Sequence, residues 1–423
     1  MPKKNGLARN EVRIRMYRVG FGDCFLLSFP AKPGFAHVLI DCGVHARGDI
    51  GTIPDVVADI AAETESKLAV VIATHRHRDH ISGFATGLET FRTFTVGQTW
   101  MPWTENPADK TAAKLRKKQS ALVDRLTAHF NAAGGSEEVL AAVANFSLNK
   151  TAMDLLQSAF GTGEACYFAA GDKLATVKDV PGLSVRFLGP PRDQESLARM
   201  DPPQGDRYLR ATADGTEEVN HIDPFPSRWV IPPEDKRIAH LRLLEREQTD
   251  VRDALRSSSL EDLAFALDDA INNTSLVTLF SFRGLNLLLA GDAQYGNWQA
   301  WLDSDEAADI LGGIHFYKVA HHGSENATPR RAVEGMANGQ CAVMVPTQVK
   351  PFASIPRKPL MQALEEKSDH QVIRSDSIVV AQAPKGPELD KLPARFTQGK
   401  LWFDWTHKVG VARRLSFAKI TSA

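Results

Sequence analysis

The sequence predicts an α/β sandwich, and three observations support this prediction. Apolar segments of strand length occur near both ends of the chain, helical patterns follow several of them, and glycines mark the turns. The first hundred residues run in the order strand, strand, strand, helix, strand. This order excludes an all-helical or an all-strand protein, because strands alternating with helices form layered α/β folds.

The first part of the chain has the clearest strands. Glu11–Val19 alternates apolar and polar residues, and a second strand follows the turn GFGDC, which Asp23 is expected to cap. Ala36–Gly43 is almost continuously apolar, and the strand that begins at Leu68 runs directly into a cluster of histidines. Between these two, IPDVVADIAAETE is predicted as a helix with Pro54 in its first turn.

The middle of the chain changes character. Amphipathic helices are expected from about Pro107 to Phe160, and a strand is expected at Leu183–Pro191. The segment from Arg192 to about Glu234 is polar and rich in proline, which is typical of an irregular segment or a lid. Buried strands resume after Asn272 and continue to the late strands SIVVAQA and KLWFDW.

The composition is that of an ordinary globular protein. Hydrophobic residues make up 43% of the 423 positions, charged residues 24%, and the net charge is −1, so nothing drives the whole chain toward nucleic acid or membrane. The four cysteines lack paired metal-ligand spacing and are expected to be thiols in a reducing compartment. No signal peptide and no apolar run of about 18 residues is found, so a cytoplasmic location is expected.

The stretch THRHRDH concentrates three of the chain's 13 histidines at the end of one strand. Other apolar strands also end at residues that can bind a metal or orient a ligand, and the four ends are at Asp41, His75, Asp292 and His321. In an α/β sheet such groups gather outside the carboxyl ends of the strands. Imidazole and carboxylate together suit Zn²⁺, Mn²⁺ or Fe.

The residues at this edge can hold one or two ions. His75 and His77 can point to one ion, and Asp79 and His80 can serve a second. Asp292 can bridge the two, and one of His321 and His322 completes the second site. The sequence leaves open which of these two histidines it is.

These motifs resemble those of the metallo-β-lactamase superfamily. LIDCG, THRHRDH, LLAGDA and KVAHHGS occur in the superfamily's order, each after a buried strand. The segments VGFGDCFLLSF, NNTSLVTLF, HHGS and RSDS are similar to the soluble hydrolase domain of ComEC-type DNA-uptake proteins and its free-standing relatives. The resemblance implies an αββα sandwich built from residues 11–103 and 271–423, with a helical and irregular insertion at 104–270.

The resemblance also implies a hydrolase with one or two divalent ions, Zn or Mn. The expected metal ligands are His75, His77, Asp79, His80, Asp292 and His322. Asp79, His321 and His322 are expected to take part in catalysis, and Asp41 to orient a histidine ligand through a hydrogen bond. Ser324, Asn326 and Asn273 are expected to hold the substrate.

One departure from the family pattern concerns the first ion. Many members have a histidine just before the strand that here begins SLVTLF, where this chain has Asn272 and Asn273. The first site would then lack a ligand, which predicts weak binding, a preference for Mn²⁺, or a ligand from the insertion. His221 and His240 are candidates for that ligand.

Three functions are compatible with these residues. The resemblance implies hydrolysis of phosphodiester bonds in nucleic acid or nucleotides by a metal-activated hydroxide. The alternatives are hydrolysis of a small ester, lactone or amide with the insertion as a lid, and a non-catalytic sensor or binding protein. A basic groove over the site would favour a polyanion, and a closed apolar pocket a small molecule.

Overall fold

Two β-sheets face each other in the computed structural model. It describes residues 6–207 and 260–410, apart from gaps at 47, 49, 147–149, 261, 350–351, 353 and 380–387. Aromatic side chains from the two sheets meet between them, as in the pair Phe29–Phe282, whose ring centroids are 5.2 Å apart. Trp100 and Phe187 form a second such contact at 5.6 Å. Each fully buried side chain of this size stabilises the fold by about 1.5–3 kcal/mol.

The first sheet combines both ends of the chain. Its strand order is β16-β17-β1-β2-β3-β4-β5-β6, and β3 to β6 run parallel. The strands are β1 (Glu11–Tyr17), β2 (Cys24–Pro30), β3 (Phe35–Cys42), β4 (Lys67–Ile72), β5 (Thr95–Pro102), β6 (Glu164–Phe168), β16 (Phe396–Gln398) and β17 (Trp402–Lys408).

The second sheet comes mostly from the later part of the chain. Its order is β13-β12-β11-β10-β9-β8-β7, and β10 to β13 run parallel. The strands are β7 (Lys173–Leu174), β8 (Leu183–Gly189), β9 (Val277–Phe282), β10 (Leu285–Leu289), β11 (Phe316–Lys318), β12 (Ala342–Val345) and β13 (Val372–Arg374). A separate parallel pair consists of β14 (Ile378–Val379) and β15 (Glu388–Leu389).

Helices cover the outer faces of both sheets, which confirms the predicted αββα sandwich. Helices α1, α2, α3 and α6 pack on the first sheet, and α9 to α12 pack on the second. The helices are α1 (Ile53–Thr64), α2 (Arg78–Thr86), α3 (Leu88–Phe91), α4 (Lys110–Ala133), α5 (Glu137–Asn145), α6 (Lys150–Gln157), α7 (Gln194–Ala198), α8 (262–272), α9 (Tyr295–Leu302), α10 (Ala307–Gly312), α11 (Arg330–Gly335) and α12 (Lys358–Lys367).

The segment 104–270 is not wholly outside the sandwich. Its strand β6 extends the first sheet, and β7 and β8 extend the second. Helices α4, α5 and α8 pack together through a small apolar cluster of their own, which includes Phe130, Val143 and Leu267. Of the segment Arg192 to Glu234, residues 208–234 lie outside the described residues, and so do His221 and His240.

Two further expectations concern the thiols and the membrane. The four cysteines are unpaired, and Cys24, Cys42 and Cys341 are buried. Across the described ranges, no helix has the length and hydropathy that crossing a bilayer requires.

Candidate metal centre

The parallel strands of both sheets end at one edge of the sandwich and bring distant residues together there. Asp41 lies in β3, and His75 follows the end of β4 by three residues. Asp292 follows β10 by three residues, and the pair His321–His322 follows β11. Asp41, His75, Asp292 and His322 are each at most 1% exposed.

Asp41 holds the start of the histidine loop. Its Oδ1 accepts a hydrogen bond from the Thr74 amide at 2.8 Å, and its Oδ2 accepts one from the Thr74 hydroxyl at 2.7 Å. The same Oδ2 lies 2.8 Å from Nδ1 of His80. This contact places the proton on Nδ1 and turns Nε2 of His80 toward Asp292, the orientation that a metal ligand needs.

Helix α2 lies tightly against the end of β3. Its first turn contains Asp79 and His80, and the Asp79 amide donates to Oδ1 of Asn145 at 3.2 Å. A Cβ atom at Gly43 would lie 2.4 Å from the backbone carbon of Asp79. Glycine at this position therefore lets the strand and the helix approach closely enough to join Asp41 and His80.

One group of donors contains Asp23, His80, Asp292 and His322, with one donor atom of each within 4.8 Å of the others. Oδ2 of Asp292 lies 3.0 Å from Nε2 of His80 and 3.3 Å from Nε2 of His322. Nδ1 of His322 lies 2.7 Å from the carbonyl oxygen of Pro346, so Nε2 is the nitrogen that faces the carboxylates. Between the two histidines that the sequence left open, His322 has the position of a ligand.

A second group contains His75, His77 and Asp79, again within 4.8 Å. Nδ1 of His75 lies 3.2 Å from the Thr74 hydroxyl and 3.2 Å from the Ser275 hydroxyl. Its Nε2 therefore faces His77, at 3.1 Å from Nδ1 of that ring. Oδ2 of Asp79 lies 3.2 Å from Nε2 of His322, so Asp79 stands between the two groups.

Lys318 and Asp23 belong to the centre, although the sequence did not assign them to it. Nζ of Lys318 donates to the carbonyl oxygen of Gly291 at 2.7 Å, contacts the Asp23 carboxylate, and lies 3.3 Å from Oδ1 of Asp292. Asp23 was expected only to cap its turn. It is 2% exposed and contacts Lys318, so it also belongs to the centre. The signal that could have found Lys318 is a lysine on an apolar strand next to the histidine motif.

The charges at the centre balance each other. Burial alone would raise the pKa of Asp292, but His80, His322 and Lys318 hold it well below its ordinary value. Burial alone would lower the pKa of His322, but Asp292 and other carboxylates raise it to about 10. Burial lowers the pKa of His77 to about 4, so this ring is the neutral imidazole that metal binding requires.

Asn272 sets the proton positions of two histidines. Its Nδ2 faces the Asp268 carboxylate at 3.1 Å, so the amide orientation is fixed and Oδ1 accepts from Nδ1 of His77 at 2.7 Å. Nδ2 also donates to Nε2 of His321 at 3.2 Å. The proton of neutral His321 is then on Nδ1, since burial lowers the pKa of this ring to about 4.

Asn273 has a different role from the one expected. Its Nδ2 lies 3.0–3.3 Å from the carbonyl oxygens of Ser196, Leu197 and Arg199, and its Oδ1 accepts from the amides of Gln294 and Asn297. The prediction that Asn273 binds substrate is therefore corrected, because these backbone contacts use its hydrogen-bonding groups. The side chain ties the segment around α7 to the start of α9.

A cleft of about 220 Å³ opens next to the centre. Ser324 and Asn326, for which substrate binding stays a prediction, both line it, and the Ser324 hydroxyl donates to Oδ1 of Asn326 at 2.5 Å. The other lining residues are Phe21, His45, Asp79, Glu138, Ala142, Asn145, Phe265, Asp268, Asp269, His321, Phe352, Ser354 and Ile355. The described part of this lining is aromatic and acidic and contains neither lysine nor arginine.

The residues of the centre fit a divalent cation. Several of their buried atoms have no hydrogen-bond partner within the described part of the chain, namely Asp23 Oδ1, His77 Nε2, Asp79 Oδ1 and Asp268 Oδ1. Leaving such atoms unpaired costs about 1–3 kcal/mol each, and more for charged groups. Imidazole nitrogens and carboxylate oxygens that converge in this way are the donor set that Zn²⁺ and Mn²⁺ prefer.

The two adjacent histidines are expected to differ in metal binding. His322→Asn should weaken the affinity for Zn²⁺ at least tenfold, because Nε2 faces Asp79 and Asp292. His321→Asn should leave this affinity within about twofold, which is less than 0.5 kcal/mol. Asparagine suits both positions, since His321 has a φ angle of 43° and His322 one of 54°, and asparagine tolerates this left-handed region. Titration against a chelating dye measures both affinities, and equal losses would contradict the assignment.

Known proteins resemble this chain only weakly. No family model matches the chain, and no curated protein matches it. Among solved structures, the metallo-beta-lactamase fold protein YhfI from Bacillus subtilis aligns at 9% identity and a TM-score of 0.37, over 94% of this chain and 100% of that protein. Igni18, a metallo hydrolase from the archaeon Ignicoccus hospitalis, aligns at 10% identity and 0.36, over 89% and 96%.

A third solved structure, Zn²⁺-bound PqqB from Methylobacterium extorquens, aligns at 11% identity and a TM-score of 0.27, over 69% of this chain and 58% of that protein. All three scores are below 0.5, so none of these likenesses supports a conclusion about this protein. The architecture is instead established by the sheet order, and the candidate centre by the side chains that meet at its edge.

Proposed function

We propose that this protein is a metal-dependent hydrolase. The observation that carries the proposal is the convergence of buried imidazoles and carboxylates at one sheet edge, with donor atoms that have no partner among the described residues. The group around Asp292 and the group around His75 lie side by side, with Asp79 between them. This arrangement supports a site for one or two divalent ions, Zn²⁺ or Mn²⁺.

The chemistry of the centre divides between the cations and the protein. When bound, divalent cations lower the pKa of water and withdraw charge from an oxygen under attack. Asp41 orients the His80 ring, and Asn272 orients the His77 ring, so that Nε2 of each ring is turned toward the centre. Lys318 fixes the second oxygen of Asp292.

We assign to His321 the role of donating a hydrogen bond to the substrate. Its ring lines the cleft, and Nδ1 has no hydrogen-bond partner within the described residues. Because the ring is neutral with its proton on Nδ1, it can donate a hydrogen bond to an oxygen that gains negative charge. Removing one such donor lowers turnover by roughly 10²–10³-fold.

We propose a phosphodiester as the bond that is cleaved. The motifs that resemble ComEC-type hydrolase domains support this choice, and so does a donor set able to hold two cations, because paired cations stabilise both oxygens of a phosphoryl displacement. The lining of the cleft favours a nucleotide-sized substrate over a nucleic acid, since the described residues offer no lysine or arginine to a polyanion.

A small ester, lactone or amide is the second candidate substrate. The aromatic side chains of Phe21, Phe265 and Phe352 in the cleft suit an uncharged molecule. The acidic residues of the same cleft also favour an uncharged substrate, because they repel an anion. The basic side chains Lys114, Lys117 and Lys118 of α4 do not change this view, because they line another cavity beside Trp103 and Leu197.

A substrate panel distinguishes these candidates. With Mn²⁺ or Zn²⁺ supplied, we expect a bis-aryl phosphodiester to be cleaved faster than the matching monoester, a carboxylic ester, a lactone or a β-lactam. A nucleotide with an internal phosphodiester should be cleaved faster than single-stranded DNA. A preference for carboxylic esters or lactones would remove the phosphodiester assignment and retain the metal centre. Absence of hydrolysis in every arm, with metal bound, would indicate a binding protein.

A further inference from the structure

We propose that Asp268 supplies the metal ligand that the chain lacks before β9, where Asn272 and Asn273 stand in place of a histidine. The inference rests on the proposed metal centre and extends it. Asp268 lies on α8, one helical turn before Asn272, within the segment that separates the two halves of the sandwich. No sequence motif singled it out.

The distance between two side chains is the first observation. Oδ1 of Asp268 lies 3.6 Å from Nε2 of His77. Two ligands that are each about 2.0–2.2 Å from one tetrahedral ion are roughly 3.3–3.6 Å apart. The spacing therefore fits two ligands of one cation and is too long for a direct hydrogen bond.

The second observation is that both of these atoms are buried and have no hydrogen-bond partner among the described residues. His77 is 1% exposed, and its ring faces the carboxylate with the nitrogen that the Asn272 contact leaves unprotonated. A buried acceptor nitrogen and a buried carboxylate oxygen that face each other gain nothing from this contact unless a cation lies between them.

Asn272 explains how an asparagine can stand where the histidine is missing. Its Oδ1 accepts from His77 and its Nδ2 donates to the other oxygen of Asp268, at 2.7 and 3.1 Å. One amide therefore orients both proposed ligands. Asn272 is a positioning residue, and Asp268 replaces the missing side chain four positions earlier on the same helix.

The neighbouring acid serves a different purpose. Oδ1 of Asp269 accepts hydrogen bonds from Gln294 at 2.5 Å and from Asn326 at 3.2 Å. Asp268 instead faces the centre, with its Oδ1 toward Nε2 of His77. Helix α8 is held in place by Ala264, Leu267 and Ile271, which pack against α4 and α5.

The ligand set has a chemical consequence. Asp268 would add one carboxylate oxygen beside the imidazole nitrogens of the first ion's histidines, in place of a third nitrogen from histidine. Carboxylate oxygen is a harder donor than imidazole and moves the preference of a site toward Mn²⁺. We therefore expect the first ion to be bound less selectively for Zn²⁺ than it would be at a site with three histidines.

The experiment measures metal affinity in the full-length chain, freed of metal and titrated with Mn²⁺ and with Zn²⁺ against a chelating dye. Asp268→Asn should weaken one class of site at least tenfold and leave the other unchanged. The matched control is Asp262→Asn, an exposed aspartate on the same helix, which should change neither. Asp268→Ser serves as a second variant if Asp268→Asn fails to fold, as judged by its melting curve.

The outcomes separate this inference from the proposed function. If the wild-type protein binds metal and the Asp268 variants bind it with unchanged number and affinity, Asp268 is not a ligand. If binding is weakened as expected while no substrate in the panel is cleaved by the wild-type protein, the ligand assignment stands and the hydrolase proposal fails. If the wild-type protein binds no divalent ion at all, both are wrong.

Discussion

Replacing Asp292 with asparagine is expected to lower hydrolysis by roughly 10³-fold or more, which corresponds to about 4 kcal/mol of transition-state stabilisation. One oxygen of Asp292 faces Nε2 of both His80 and His322, and the other lies 3.3 Å from Lys318. Asparagine keeps the shape of the side chain and removes the negative charge that would offset bound cations. Turnover is measured on a bis-aryl phosphodiester with Mn²⁺ or Zn²⁺ at saturation.

The same substitution should also destabilise the metal-free protein. In the absence of cations, Asp292 is the shared partner of His80, His322 and Lys318, whose positive charges hold its pKa well below the ordinary value. Removing one partner of a buried ion pair typically costs about 3–5 kcal/mol. The free energy of unfolding in urea, with chelator present, should fall by that amount.

A control variant and an alternative role for Asp292 test this prediction. Asp303→Asn removes an aspartate whose ion pair with Arg331 is exposed, and it should leave both turnover and stability nearly unchanged. If Asp292 served only as a turn cap after Gly291, asparagine would be an equally good cap and would be nearly silent in both assays. Normal activity with unchanged stability would end the proposed ligand role of Asp292.

The sequence predicted the sandwich and the sheet edge at which the metal centre lies, because both depend on local patterns. Apolar runs ending at Asp41 and before His75 correspond to β3 and β4, and their parallel pairing brings the two residues together. The strand expected to end at His321 is only Phe316–Lys318, and His321 and His322 lie beyond it in a turn with left-handed backbone angles.

The residues that sequence reasoning missed depend on packing between distant segments. Asp268 lies in a stretch that reads only as a charged helix, and its importance follows from the way α8 places it beside His77. Strand β6 was likewise not predicted, because it is too short and too little buried to show periodicity. Lys318 and Asp23 are 295 positions apart, and no local pattern could have paired them.

The second large effect is expected at Lys318. Lys318 is 1% exposed, its ammonium group contacts Asp23 and Asp292, and these carboxylates raise its pKa despite burial. Lys318→Met retains an unbranched chain and removes the charge, leaving the Asp23 carboxylate without its cation. We expect the free energy of unfolding of the metal-free protein to fall by about 3–5 kcal/mol.

Two comparisons test whether this loss is electrostatic. The double variant Lys318→Met with Asp23→Asn removes both charges, so it should recover most of the lost stability, because a neutral pair needs no counter-charge. Saturating Zn²⁺ should also reduce the difference between Lys318→Met and wild type, since bound cations would neutralise the same carboxylates. Denaturant unfolding of the wild type, Lys318→Met, Asp23→Asn and the double variant, with chelator and with Zn²⁺, gives the coupling between positions 23 and 318. Additive losses in the double variant would show that Lys318 contributes packing alone, and the ion pair would then have no part in balancing the charge of the centre.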